Sequence, residues 1–251
     1  MIPFAVDPRG PPTRRFLGQA FTDLSPDLVL TWLLDRPAEA PFGYVVTPNA
    51  DHLVRLARLP ALGPLYDGAA LRLLDSRVVA GLARIMGLHP PTVVTGSDLT
   101  ASLLAAIHEP VTIIGLDPAW VGGLGLRQVA HHNPPIGFED DSDAFARAVD
   151  FALTHRSRFT ILAVGSPRQE RLAAAIKASG SATGIGLCVG ASLEFLAGAR
   201  RRAPVWMSRA GLEWMHRLGQ DPRRLARRYL LDSPAVIALL ARERLAGDRF
   251  G

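Results

Sequence analysis

Tyr44-Val45-Val46-Thr47-Pro48-Asn49-Ala50-Asp51-His52 is the stretch on which the reading of this chain turns. Tyr44, Val45 and Val46 make a short strand, and Pro48, which has no amide to donate, ends it as a central ladder member at Thr47. From Asp51 the pattern changes: apolar residues at 53, 54, 56, 57 and 59 are interleaved with Arg55 and Arg58, which is helical spacing. A strand that passes through a polar corner into a helix places Thr47 and Asn49 at the carboxyl edge of a parallel sheet, the side on which open α/β sheets bind ligands. The alternative is that Thr47 and Asn49 only satisfy backbone groups within the turn.

The same alternation extends in both directions. Ser25-Pro26 leads in a helix over 27–36, as cap and first-turn proline. After the central unit, the pattern predicts a strand over 71–75 and a helix from Val78 to Met86. A strand-and-turn unit over 92–99 is predicted next, with a helix from about Thr100 to Ile107. A strand over 111–115, a helix near 121–131, a brief strand over 136–138 and a helix over 143–153 come next. Phe159 to Val164 forms the strongest strand, with a helix to Ala178, and Gly184 to Val189 is the last. Strands alternating with helices in this way argue an α/β, Rossmann-like, mostly parallel sheet with helices on both faces. Residues 1–15, rich in Pro and Arg, are expected to be poorly ordered.

A chain of 251 residues, 48% of them hydrophobic, suffices for one large α/β domain, or one domain plus an appendage. No apolar run approaches the ~20 residues of a spanning helix, and Met1 to Arg9 lacks the features of a secretion signal, so a cytosolic protein is expected. The one cysteine, Cys188, excludes an intrachain disulfide and a cysteine metal cluster. Charge divides the chain. Residues 199–251 hold 12 Arg, no Lys and 5 acidic residues, a balance of +7, which leaves 1–198 at −2 of the overall +5. We therefore read 1–198 as the catalytic domain and 199–251 as a basic helical appendage, suited to a polyanion, a phosphate or an acidic membrane surface.

Asp75 closes an apolar strand and so shares the crevice of Thr47 and Asn49. A partly desolvated carboxylate there can serve as a general base, or it can simply cap the helix opening at Ser76. Thr95-Gly96-Ser97-Asp98 can likewise offer amides to an anion or start a helix. Glu139-Asp140-Asp141-Ser142-Asp143 contains an Asp-x-Asp, a spacing with which many sugar transferases hold a divalent ion. It also runs straight into an amphipathic helix, which Asp141 or Ser142 as N-cap explains. His131-His132 has no partners at metal-ligand spacing and reads as a solvated loop pair. Gly122-Gly123-Leu124-Gly125 does not follow a strand and makes no dinucleotide fingerprint. No metal and no cofactor is expected.

Several motifs then occur in one order. They are Thr47-Pro48-Asn49, Gly96-Ser97-Asp98-Leu99, Gly165-Ser166-Pro167-Arg168-Gln169-Glu170 and Gly190-Ala191-Ser192, followed by Arg200-Arg201-Arg202, Gly211-Leu212-Glu213-Trp214 and Pro222-Arg223-Arg224. Over residues 40–231 the chain resembles the WecG/TagA/CpsF family of glycosyltransferases. The resemblance implies an inverting enzyme without a metal site, acting at the cytoplasmic membrane face. It would move a hexose, N-acetylhexosamine or uronic acid from a UDP-sugar to a polyprenyl diphosphate-linked saccharide, in exopolysaccharide or cell-envelope polysaccharide synthesis. By position it makes Asp75 the base, Thr47 and Asn49 an active-site polar pair, and Gln169, Gly96, Ser97 and Asp98 substrate-binding residues. It also brings Arg217, Arg224 and Arg227 from the appendage over the site, where guanidinium forks suit a diphosphate. Trp206, Met207, Trp214, Met215 and Leu218 would lie at the headgroup boundary, or pack on the body as ordinary core.

Two departures from the family pattern stand out. Asp75 is followed by Ser76-Arg77 where the family often has Asp-Gly. Val93 stands where a basic residue commonly precedes the turn, which shifts the expected sugar from N-acetylmannosamine or its uronic acid towards a neutral hexose such as glucose. The rival from another class is a non-catalytic nucleic-acid-binding protein using the arginine-rich tail. No aromatic-and-basic β platform or recognition helix supports it, so nucleic acid is not an expected partner. A homo-oligomer in solution stays open. A chain ending near Gly198 is expected to stay folded while losing membrane binding and activity.

Overall fold

A computed structural model describes residues 10–199 and 222–247, with side chains over 10–199 and 234–246. Six strands form one sheet: β3 (Gly43–Val46), β4 (Leu71–Arg72), β5 (Val111–Gly115), β6 (Val129–His132), β7 (Phe159–Ala163) and β8 (Ile185–Cys188). Their order is β4-β3-β8-β7-β5-β6 and every pairing is parallel. The helices are α1 (Pro26–Asp35), α2 (Ala50–Arg58), α3 (Gly63–Asp67), α4 (Arg77–Ile85), α5 (Gly96–Ala106), α6 (Pro118–Val121), α7 (Ser142–Thr154), α8 (Arg168–Ala178), α9 (Ser192–Leu196) and α10 (Pro222–Gly247). The α/β, Rossmann-like fold read from the alternation is the one present.

The central strands β3, β8, β7 and β5 are mainly apolar because both faces of the sheet are covered there. Successive side chains point to opposite faces. Val45, Ile113, Ile161 and Leu187 therefore join α1, α5 and α9 residues such as Leu33, Leu103 and Leu193 in one core. Tyr44, Val46, Ile114, Leu162 and Cys188 join Tyr66, Ala148, Leu172 and Ile176 in the other. β3 and β8 lie side by side although they are far apart in the chain, so the early and late halves of the fold meet at their carboxyl ends. That is where such a sheet leaves a crevice.

Of the stretch 1–15 expected to be poorly ordered, 1–9 lie outside the described residues, and the part from Thr13 folds. β1 (Thr13–Phe16) and β2 (Gln19–Thr22) pair antiparallel through Leu17 and Gly18, whose φ values of 50° and 71° fit the two-residue turn that hairpin twist favours. Phe16 and Phe21 are buried, which ties the hairpin down against α4.

Three further expectations are corrected. The helix near 121–131 is only α6 and a 3-10 turn, because Gly122, Gly123 and Gly125 (φ 66°) break it. The chain then enters the edge strand β6. His131 and His132 thus sit on a strand rather than in a loop, with His131 Nε2 3.0 Å from the Gly115 carbonyl. Residues 136–138 form a turn around Gly137 (φ 82°), since the strand expected there lies six residues earlier. The strand of the 92–99 unit shrinks to one parallel bridge, Leu74 to Val93, and α5 starts at Gly96, four residues earlier than expected.

A third core forms at the edge of the sheet. Val236 and Leu240, four residues apart on one face of α10, are 3% and 0% exposed among Leu53 and Val54 of α2, Val79, Ala80 and Ala83 of α4, and the hairpin phenylalanines. The Leu17 amide donates to Glu243 Oε1 at 3.1 Å, so α10 also closes on the hairpin turn. No helix among the described residues is long and apolar enough to cross a membrane.

Candidate active site

The site begins with a ladder that outruns its strands. Leu73 N donates to Val46 O at 2.9 Å, and Asp75 N to Pro48 O at 3.0 Å. Pro48 lacks a donor, but its carbonyl is the group this rung uses. Val94 N then donates to Leu74 O at 3.0 Å, carrying the ladder one segment further, to the start of α5. The Thr47-Pro48-Asn49 corner, Asp75 and Gly96 are neighbours because three successive extended segments end level with one another.

Ser76, not Asp75, caps α4: its Oγ accepts from Val79 N at 3.2 Å. The Asp75 carboxylate turns instead to α5, where Oδ2 accepts from Gly96 N at 3.2 Å. That amide is an orphan of the helix start, and the positive end of the helix dipole favours a negative charge there. Gly96 is needed for the approach. A Cβ on it would stand 2.8 Å from Thr47 Oγ1 and 3.4 Å from Asp75 Oδ2. Thr95 caps the helix through Asp98 N, and Ser97 Oγ lies 3.5 Å from Thr95 Oγ1. Asp98 pairs with Arg77 at 3.1 Å, both about half exposed, so water screens the pair and it is worth at most ~1 kcal/mol.

Thr47 is buried and donates its hydroxyl to the Cys188 carbonyl at 3.3 Å, joining the ends of β3 and β8. Asn49 caps α2. Its Oδ1 accepts from Asp51 N at 3.1 Å and His52 N at 3.4 Å, while His52 Nδ1 accepts from Asn49 N. The local-turn reading of Asn49 therefore holds for its oxygen. Gln169 is 3% exposed. Its Oε1 accepts from Gly190 N at 2.9 Å and its Nε2 donates to Glu170 Oε1 at 3.0 Å, so both ends of the carboxamide engage protein.

The structure thus bonds Asp75 to Gly96 and sets Thr47 beside Gly96, close enough that a Cβ there would stand 2.8 Å from Thr47 Oγ1. Gln169 reaches them through Gly190 and the Cys188 carbonyl. Ser97 and Asp98 lie on the first turn of α5. Arg217 lies outside the described residues, and Arg224 and Arg227 fall on the first turns of α10, where only the backbone is described. The acidic run behaves as a cap: Asp141 Oδ1 accepts from Asp143 N and Ala144 N at 3.0 Å each. Among the described residues no group of three His, Cys, Asp or Glu side chains is placed to hold a metal.

One functional group escaped the sequence reading. Glu170 is 1% exposed, burial pushes its carboxyl up from the usual carboxylate range, and among the described residues its Oε2 has no hydrogen-bond partner. Beside it Ser166 Oγ accepts from the Arg55 guanidinium at 3.2 Å and lies 3.3 Å from Tyr66 Oη, and Arg55 pairs with Asp51 at 2.7 Å. In the sequence, Glu170 in the first turn of a helix reads as a surface carboxylate satisfying the dipole. Only the packing of α8 against β8 and α3 shows it to be buried.

The arrangement offers a carboxylate at the mouth of a parallel-sheet crevice, fixed by one helix amide and flanked by a threonine. That suits taking a proton from a hydroxyl nucleophile. Residues 14–249 match the model of the glycosyl transferase WecG/TagA/CpsF family. The match spans nearly the whole chain, and the chain belongs to that family.

Proposed function

From that membership and the contact of Asp75 with Gly96 beside Thr47, we propose an inverting transferase that moves a hexose from a UDP-sugar to a polyprenyl diphosphate-linked saccharide. Its place would be the cytoplasmic membrane face, in exopolysaccharide or cell-envelope polysaccharide synthesis. In one displacement Asp75 accepts the proton of the acceptor hydroxyl as that oxygen bonds to the anomeric carbon. The bond from this carbon to UDP breaks, and the electron pair leaves with the diphosphate. Thr47 and Asn49 shape the floor of the crevice, and Ser97 and Asp98 line its α5 side. Arg217, Arg224 and Arg227 would hold diphosphate, where developing charge makes guanidinium contacts most valuable. The observation that carries this reading is the bond from Gly96 N to Asp75 Oδ2, which aims a strand-end carboxylate without consuming it as a cap for its own helix.

Calorimetric titration with UDP tests the donor class: saturable binding is expected, and none would remove the UDP-sugar reading. Co-sedimentation with anionic liposomes tests the lipid face. A steeply salt-dependent affinity for DNA without UDP binding would instead favour the nucleic-acid alternative. A sharper check is Gly96→Ala. The added methyl must push on Thr47 and Asp75, and displacements approaching 1 Å at a site cost ~10²-fold. We expect turnover to fall about 10- to 100-fold on that basis, with the melting temperature falling by several degrees, since overpacking a buried site costs about 1–3 kcal/mol and the helix preference of alanine offsets only part of it. Steady-state kinetics beside a thermal melt read both.

A further inference from the structure

We infer that Glu170 is a positioning residue whose buried carboxyl fixes the Gln169 carboxamide, so that Gln169 holds the Gly190 turn in place beside Thr47. The inference deepens the transferase reading and rests on it only for its kinetic arm.

The geometry is a chain of single contacts. Glu170 Oε1 accepts from Gln169 Nε2 at 3.0 Å, which leaves Gln169 Oε1 facing the Gly190 amide at 2.9 Å. Rotating the carboxamide by half a turn would set its NH2 against the Gly190 N–H, two donors face to face, so the Glu170 contact selects the productive orientation. Gly190 has φ +52°, in the left-handed region, and closes the turn after β8. Two residues earlier the Cys188 carbonyl accepts from Thr47 Oγ1 at 3.3 Å, and a Cβ on Gly96 would touch that same oxygen at 2.8 Å. The turn is thus joined to Thr47, beside the bond from Gly96 to Asp75.

The surroundings match this carboxyl only in part. Glu170 is 1% exposed and, among the described residues, its Oε2 has no hydrogen-bond partner; Ser166 and Arg55 favour its charge from one side, while the buried Tyr44 and the Cys188 thiol lie on another. Burying a polar atom without a partner costs stability, and an apolar side chain of similar size avoids that cost. A group the fold tolerates at a cost, one bond away from a residue that holds a site loop, is where stability yields to function.

The test compares Glu170→Leu and Glu170→Gln with wild type, without substrate and then in turnover. Glu170→Leu removes the acceptor, whereas Glu170→Gln keeps a carbonyl oxygen for Gln169 Nε2. Amide exchange at Gly190, read by NMR on the free protein, is expected to quicken about tenfold in Glu170→Leu, the scale of one lost hydrogen bond, and to stay at wild type in Glu170→Gln. The melting temperature of Glu170→Leu should equal or exceed wild type. With donor and acceptor, kcat should fall about tenfold in Glu170→Leu, a small misplacement at the site, and recover in Glu170→Gln. Unchanged Gly190 exchange in Glu170→Leu overturns the inference. So does a collapse of its melting temperature, which would make the role structural, and so does equal impairment in both variants. The exchange arm uses no substrate. Failure of wild type to bind UDP would sink the donor assignment and leave the exchange result standing.

Discussion

Replacing Asp75 by alanine is expected to lower turnover by about 10² to 10⁴, the range for losing a positioned general base, while leaving the protein folded. The carboxylate accepts from Gly96 N, and the ladder bond from its own amide to Pro48 O survives any side-chain change. Its loss strips the amide of the buried Gly96 of this acceptor, which costs about 1–3 kcal/mol, so the melting temperature should fall by several degrees while the protein stays folded. Asp75→Asn separates charge from shape: it keeps an oxygen for the Gly96 amide and still fails as a base, so it should be nearly as slow as alanine. Steady-state rates on one UDP-sugar and one lipid diphosphate glycoside measure all three proteins. Turnover within threefold of wild type in Asp75→Ala would place the base elsewhere.

A chain ending at Gly198 is expected to be markedly less stable than the full chain. The charge division after residue 198 suggests a detachable tail, and a folded truncation is the natural expectation from it. The structure seats Val236 and Leu240 in a core shared with α2, α4 and the hairpin. Each such side chain is worth roughly 1.5–3 kcal/mol when fully buried, and removal also exposes the apolar residues beneath it. For a protein of this size each kcal/mol moves the melting temperature by about 2–4 °C, so a fall of about 10 °C or more should follow. Leu240→Ala in the full chain isolates the contact and should cost about 2–5 kcal/mol. Equal melting temperatures for truncated and full chains would show that α10 is not seated in solution.

What the sequence makes legible follows from which interactions are local. The alternation of apolar strands and amphipathic helices is written in neighbouring residues, so the parallel sheet and the carboxyl-edge placement of Thr47 and Asp75 can be read from it. Gly96 entered through its motif, but the reason for a glycine, a Cβ that would strike Thr47 Oγ1, exists only once the segments are side by side. Asn49 shows the limit of such reading, since cap and site residue look the same in a turn and its oxygen proves to be the cap. The hairpin was hidden by the Pro and Arg around it, although Gly18 between two phenylalanines is a turn signal. β6 was hidden because a glycine-broken stretch with helical spacing has no strong period of either kind. Glu170 was illegible because its burial depends on α3 and β8, at least 15 residues away in sequence on either side.

The bond from Leu17 to Glu243 spans 226 positions, and the third core needs side chains from both regions. During synthesis, the ribosome has therefore made α2 and α4 long before the residues that cover them exist. Until Leu240 emerges, Leu53, Val54 and Val79 face solvent or whatever transiently shields them, a state prone to association. The emergence of α10 is thus the moment at which this face of α2 and α4 first becomes covered.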